Sequence, residues 1–361
     1  MFQTKLFRRK PALALAATAA AAVTLAGVTA CSSSSASSGS GSMPTVTMMV
    51  GGIDKQIYLP YQLAQGLGFY KKYGVNMQLS TEQAGGVGAE DAMVSGQVDM
   101  AGAWYVHTID FQQHGKQVVD VVQLSGAPGE REMCANGSNV KTPADWAGKN
   151  VGVTDLGSGT DDLTLYLAQR SNLSSTQFTR VGVGAGDTFI AAMQHGQITC
   201  GMTSQPTVTA IEKQNIGYSA IDLATSAGVK KWLGGSLPTA GVLALQSYVD
   251  SHKTTVQKLV NALVATMHWI NTHSAAQIAA KMPAEFVSNN LTSRADYISA
   301  LAKDKGQFLP DGIMPKSGPA TVLNVDRLAG KVTGNVNLAT TYTNAFAIKA
   351  NKLEHFKITA Q

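Results

Sequence analysis

A seven-residue pattern that returns after one hundred residues constrains this chain more than any other feature. Ala92-Met93-x-x-Gly96-Gln97-Val98 reappears as Ala192-Met193-x-x-Gly196-Gln197-Ile198. Each copy reads as the last turn of a helix, a Gly at its C-terminal cap, and the start of a strand. Gly-containing turns precede both, Gly85-Gly86 in the first and Gly184-Ala185-Gly186-Asp187 in the second. Two lobes built on one plan is favoured over coincidence.

The surroundings agree. Runs with strand character at 45–50, 75–79, 118–123, 151–154, 180–184 and 198–203 alternate with helical patterns such as LPYQLAQGLGFYKKYG and TDDLTLYLAQRSN. That alternation predicts an α/β architecture of mainly parallel sheets flanked by helices. Beyond Ser251 the pattern is mostly helical, with apolar residues at helical spacing over 256–270. A length of 361 residues suits about two domains. Hydrophobic content of 44% against 14% charged residues excludes a disordered chain.

The formal charge of +5 invites a nucleic-acid reading, but its location removes the support. Lys5, Arg8, Arg9 and Lys10 precede an Ala-rich apolar run, with no acid before Cys31. Without these four, the 28 basic side chains become 24 against 23 acidic ones, a net of +1. A basic head, an apolar stretch and small residues form a secretory signal over 1–30. Ala in place of Leu or Ile makes it a poor permanent span. Val28-Thr29-Ala30-Cys31 resembles the lipobox of bacterial lipoproteins, in which the Cys is acylated and becomes the mature N-terminus. The alternative is an ordinary signal with an incidental Cys. Residues 32–42 are only Ser, Gly and Ala. Such a tether spans roughly 17–20 Å as a flexible coil.

In open parallel sheets, ligands bind beyond the carboxyl ends of the strands. Loops rich in Gly and polar residues fall there: 51–54, Gly85-Gly86, 102–105, 156–160 and 203–206. The Gly157 to Thr160 loop follows a strand and opens a helix, so its N–H groups with the Ser158 and Thr160 hydroxyls suit an oxyanion. An ordinary helix cap is the competing reading. Tyr58, Trp104 and Tyr105 are candidate stacking walls or simply core. Arg131 would pair with an acid group of the ligand or with Glu130 or Glu132. Asp54 and Asp187 oppose an anion unless they cap helices or receive an amine.

These residues carry a family likeness. The runs at 59–79, 92–104, 140–160 and 191–206 contain Gly-Phe-Tyr-Lys-Lys-x-Gly-Val, Ser-Gly-Gln-Val-Asp, Asp-Trp-x-Gly-Lys-x-Val-Gly-Val and Gly-Ser-x-Thr. In order through most of 45–280, the chain resembles the solute-binding proteins of ABC importers for nitrate, sulfonates such as taurine, and thiamine-precursor pyrimidines. The resemblance implies a two-lobe type II periplasmic-binding-protein fold. Lobe 1 would be 44–133 with 241–361, lobe 2 would be 134–240, and the crossings would lie near 132–135 and 240–245. By position, Gly52, Tyr58, Gly85, Gly86, Trp104, Tyr105, Ser158, Gly159, Thr160, Asp187 and Gln205 would line the cleft. The implied function is capture of a small, anionic organic ligand such as a sulfonate, aromatic carboxylate or pyrimidine, and its delivery to a permease and ATPase complex. The implied protein is an exported monomer, lipid-anchored through Cys31, with no cofactor, metal, nucleic acid or catalysis. Two departures stand out: Thr199-Cys200 where Asp-Ala is usual, and Trp104-Tyr105-Val106-His107 in place of a Gly/Pro-containing loop. Bulky aromatics there point to a ligand larger or more apolar than nitrate.

With Cys31 acylated, Cys134 and Cys200 remain as an exported even pair and a candidate disulfide. Two free thiols is the alternative. No HExxH, His/Cys cluster or Gly-x-Ser-x-Gly occurs. Ser158 between glycines has no evident base, so an exported enzyme is the second reading and a ligand-sensing lipoprotein the third.

Overall fold

The computed structural model describes residues 42–82 and 86–359. The expected signal (1–30), Cys31, the tether through residue 41, and Gly85 lie outside the described residues. The strands are β1 (Thr45–Gly51), β2 (Asn76–Glu82), β3 (Met100–Trp104), β4 (Val118–Gln123), β5 (Glu130–Ala135), β6 (Asn150–Val153), β7 (Thr179–Gly182), β8 (Cys200–Ser204), β9 (Gly217–Asp222) and β10 (Ala240–Leu245). They form two five-stranded sheets of order β2-β1-β3-β10-β4 and β7-β6-β8-β5-β9.

The two orders are the same plan. β1 pairs in parallel with β2 and β3, as β6 does with β7 and β8. In each sheet the fourth strand is antiparallel to both neighbours: β10 in the first sheet, β5 in the second. The sequence repeat marks equivalent places, the ends of helices Val87–Val94 and Asp187–Gln194 that lead into β3 and β8. Gly96 and Gly196 both take positive φ, 78° and 68°. Gln97 N–H and Gln197 N–H then donate back to the carbonyls of Ala92 and Ala192, at 2.8 and 2.9 Å. A left-handed cap of this kind satisfies helix-end carbonyls at little steric cost when the residue is Gly.

The expected crossings are strands instead. Residues 132–135 lie within β5, bonded on both sides to β8 and β9, and 240–245 are β10, between β3 and β4. A boundary between 133 and 134 would cut β5 in two. The chain passes between sheets at 124–129 and again over 223–239. Buried backbone must pair its N–H and C=O groups, and a two-sided ladder does this for both antiparallel strands. β5 buries Glu130, Arg131 and Glu132 side by side, so it lacks the apolar alternation of a half-buried strand.

Helix Lys253–Thr272 supplies much of the first sheet's cover. It buries Val256, Leu259, Val260, Leu263, Val264, Met267 and Ile270 at helical spacing, and packs on β4 and on helices Leu59–Gly66 and Ala345–Leu353. The predicted helix 59–74 is broken into two, at Leu67 and Gly68, where Gly68 adopts φ 71°. Among the described residues, no helix is long and apolar enough to cross a membrane.

Candidate functional site

The carboxyl ends of the parallel strands from both sheets converge. β1 ends at Gly51, whose turn leads through Lys55 into the short helix Gln56–Tyr58, and β3 ends at Trp104. Facing them are the loop after β6, which opens helix Gly159–Arg170, and the start of β5 at Glu130. Gln56 N–H donates to Gln205 C=O across the divide at 2.9 Å. Between them is a cavity of about 10 Å³ lined by Lys55, Ile57, Tyr58, Trp104, Glu130, Thr154, Gly159 and Thr160. That is about one water's space, so the facing loops are nearly in contact. Trp104 closes it: its ring lies on Gly159 so closely that a Cβ there would overlap it. A much roomier groove of about 840 Å³ lies beside β4 and helix Lys253–Thr272, lined by residues such as Gln117, Lys253 and Phe346. None of the expected ligand residues reaches that groove, and it is not at the carboxyl ends of the parallel strands, so the small cleft is the better candidate.

The expected residues divide. Tyr58, Trp104, Gly159 and Thr160 line the cleft. Ser158 is buried beside it as the helix N-cap: its Oγ accepts from Asp161 N–H at 3.4 Å and donates to Asp155 C=O at 2.7 Å. Thr160 Oγ1 accepts from Thr154 N–H at 3.0 Å and lies 2.8 Å from Ser158 Oγ. The loop therefore realises the cap reading, with its hydroxyls engaged internally. Tyr105 turns away into the core of the first sheet, with its hydroxyl on Thr341 at 2.5 Å and its ring edge-on to Tyr342. Gly52 carries the positive-φ turn that folds Lys55 back, and Gly86 caps helix Val87–Val94 while donating to Glu82 at 2.6 Å. Gly85 is outside the described residues. Asp187 is exposed and bonded to Asn290, and the Gln205 side chain caps Thr209. Arg131 pairs with neither Glu130 nor Glu132; it makes a bidentate pair with Asp304 at 2.8 and 2.7 Å, with Asp222 at 3.7 Å. Cys134 and Cys200 are direct partners across β5 and β8, with Cα atoms 4.0 Å apart, and are joined as a disulfide.

Comparison with known proteins fits this geometry. The family model described as NMT1/THI5 like matches residues 57–276. The chain belongs to the NMT1/THI5-like family. A protein of known structure from Bordetella bronchiseptica RB50 is 29% identical, with a TM-score of 0.79; the match covers 86% of this chain and 98% of that one. The alkanesulfonate-binding protein SsuA from Xanthomonas axonopodis pv. citri, solved with MOPS, is 16% identical with a TM-score of 0.65, covering 83% and 98%. The nitrate-binding protein NrtA from Synechocystis PCC 6803 is 14% identical with a TM-score of 0.67, covering 86% and 88%. These likenesses show the type II periplasmic-binding-protein fold. No curated protein sequence matches the chain.

In this NMT1/THI5-like cleft, four lining residues were not among those expected from the sequence: Lys55, Ile57, Glu130 and Thr154. Lys55 Nζ donates to Gly51 C=O at 3.0 Å. Glu130 is 3% exposed and its Oε2 has no hydrogen-bond partner among the described residues. Burial pushes its carboxyl up to about 7, against the opposing pull of Lys55 and Arg131. Burial, then the nearby carboxylates of Glu90, Glu130 and Glu82, hold the Tyr58 hydroxyl well above its usual range. The available signal was an ionisable residue just past a strand's carboxyl end, which for Lys55 was visible in the sequence.

Proposed function

We propose that this protein is the extracytoplasmic solute-binding component of an ABC importer. Two lobes, 44–129 with 240–361 and 130–239, close on a small organic ligand and present the closed form to a permease and ATPase complex. The observation that carries the reading is the convergence of strand carboxyl ends from two sheets of identical order on one aromatic and polar cleft. The two connections, 124–129 and 223–239, the second carrying helix Ser226–Leu233, act as the hinge, and ligand contacts from both sides shift the population toward closure. We read the chain as a monomeric binder without cofactor or turnover, exported by residues 1–30 and anchored through Cys31. Structural neighbours named for sulfonate and nitrate binding share the fold and support the transport class.

The test is a thermal-shift screen of sulfonates, aromatic carboxylates, nitrate and pyrimidines, with small-angle scattering to read closure. A true ligand at one hundred times its Kd stabilises by about 2.7 kcal/mol. Scattering should then show a smaller radius, and absence of both signals across the panel would remove the receptor reading. Mass spectrometry of the membrane-extracted protein tests the anchor: an acylated N-terminal Cys31 is expected, and Cys31→Ala should release the protein.

A further inference from the structure

Resting on the receptor reading, the structure assigns a class of ligand to this cleft that differs from a free anion. We propose that it takes a small ring bearing an N–H donor, such as an amine or amidine, and that Glu130 is the residue that receives this group. The evidence is which polar groups in the cleft already have partners. Helix Gly159–Arg170 would be the natural oxyanion site, yet Ser158 caps it and its first turn carries Asp161 and Asp162. The positive end of the helix dipole therefore already faces two carboxylates. Those two are in turn held by Lys331, and Asp161 also by Arg180. Thr154, Ser158 and Thr160 hydroxyls bond one another. Lys55, the only cation among the described residues that line the cavity, is turned onto the Gly51 carbonyl.

What remains with free capacity is an acceptor. Among the described residues that line the cavity, Glu130 is the acid, and its Oε2 is bonded to nothing among the described residues. An orphaned buried carboxylate is costly unless a ligand completes it. Tyr58 and Trp104 add aromatic faces, which attract cations and ring N–H groups and favour stacking. A ring needs far more than about 10 Å³, so entry requires the sheets to part and Trp104 to lift from Gly159. Parting leaves the Ser158 cap and the first-turn carboxylates in place, because both belong to one side of the cleft.

Charge-reversed probes of one shape decide the matter: benzamidine, benzylamine and 2-aminopyridine against benzoate, benzenesulfonate and nitrate, by thermal shift and calorimetry at pH 7.5. At least one ring amine or amidine should bind the full mature protein. Glu130→Gln should weaken it tenfold or more, and Lys55→Met should leave it equal or tighter. Circular dichroism controls for folding, and Glu130→Asp, which keeps the charge, should retain more affinity than Glu130→Gln. Tight binding of the acids, lost in Lys55→Met and indifferent to Glu130→Gln, would overturn the inference while leaving the receptor reading intact. No binding by either class would overturn the inference and leave the receptor reading to the wider panel and its scattering test.

Discussion

Replacing Cys134 and Cys200 together by Ala should lower stability by about 4 kcal/mol or more, and the size follows from where the link sits. The cysteines are 66 residues apart in sequence and fully buried, facing each other across β5 and β8. In the chain-entropy model, releasing a loop of that length gives the unfolded chain about 4.4 kcal/mol of added freedom at 25 °C. Removing two buried sulfurs adds a packing loss on the order of 1–2 kcal/mol. The two contributions can be separated. Wild-type protein reduced in denaturant and refolded under reductant keeps both sulfurs and lacks only the link, so it should lose about 4 kcal/mol. The double Ala variant should lose more. Urea unfolding followed by circular dichroism reads both, with a fall in Tm on the order of 10 °C as a second measure. Equal midpoints for the oxidised and the reduced, refolded protein would refute the loop argument. Two alkylatable thiols in unreduced, unfolded protein would refute the link itself.

Asp304→Ala should cost about 3–5 kcal/mol, because it strips the bidentate partner from a buried guanidinium and leaves Asp222 at 3.7 Å. The paired change Arg131→Met with Asp304→Met should cost much less, and a single-variant loss below about 1 kcal/mol would show that water already solvates the pair. Gly159→Val should force Trp104 off helix Gly159–Arg170, lowering stability by about 1–3 kcal/mol. An unchanged Tm would mean that the indole does not pack on this glycine. Glu132 is fully buried with neither carboxylate oxygen bonded among the described residues, and burial holds its carboxyl well above the usual 4.5. The folded state thus keeps a proton that the unfolded chain releases, so stability should fall as pH rises above about 4.5. Glu132→Gln should flatten that fall between pH 5 and 8, and parallel curves for the two proteins would argue against a buried carboxyl there.

Much of the fold was legible because it is written in local patterns. Residues 118–123 read as a strand and form β4 over the same bounds. The duplicated Ala-Met-x-x-Gly-Gln motif located two equivalent helix ends, since a left-handed cap followed by a strand is a short-range event. β3, β9 and β10 were harder: MAGAW, GYSAID and AGVLAL are Gly- and Ala-rich, and short runs of small residues suit strand, turn or crossing alike. At the candidate cleft, Tyr58, Trp104, Gly159 and Thr160 are expected ligand residues that line the small cavity. Tyr105, one residue beyond Trp104, was not separable from it, because which side of a chain end faces a cleft depends on the packing of residues such as Thr341 and Tyr342 far along the chain.

Sequence alone therefore determined the α/β alternation, the duplicated plan and the family, all of which depend on neighbours within a turn or a strand. Tertiary structure decided where the chain crosses between sheets, that Ser158 caps a helix, that Arg131 belongs to Asp304, and that Glu130 is left with an open acceptor. Those outcomes depend on partners tens to hundreds of residues away, and on burial, which gives an unpaired carboxylate its chemical significance only after the sheets have folded around it.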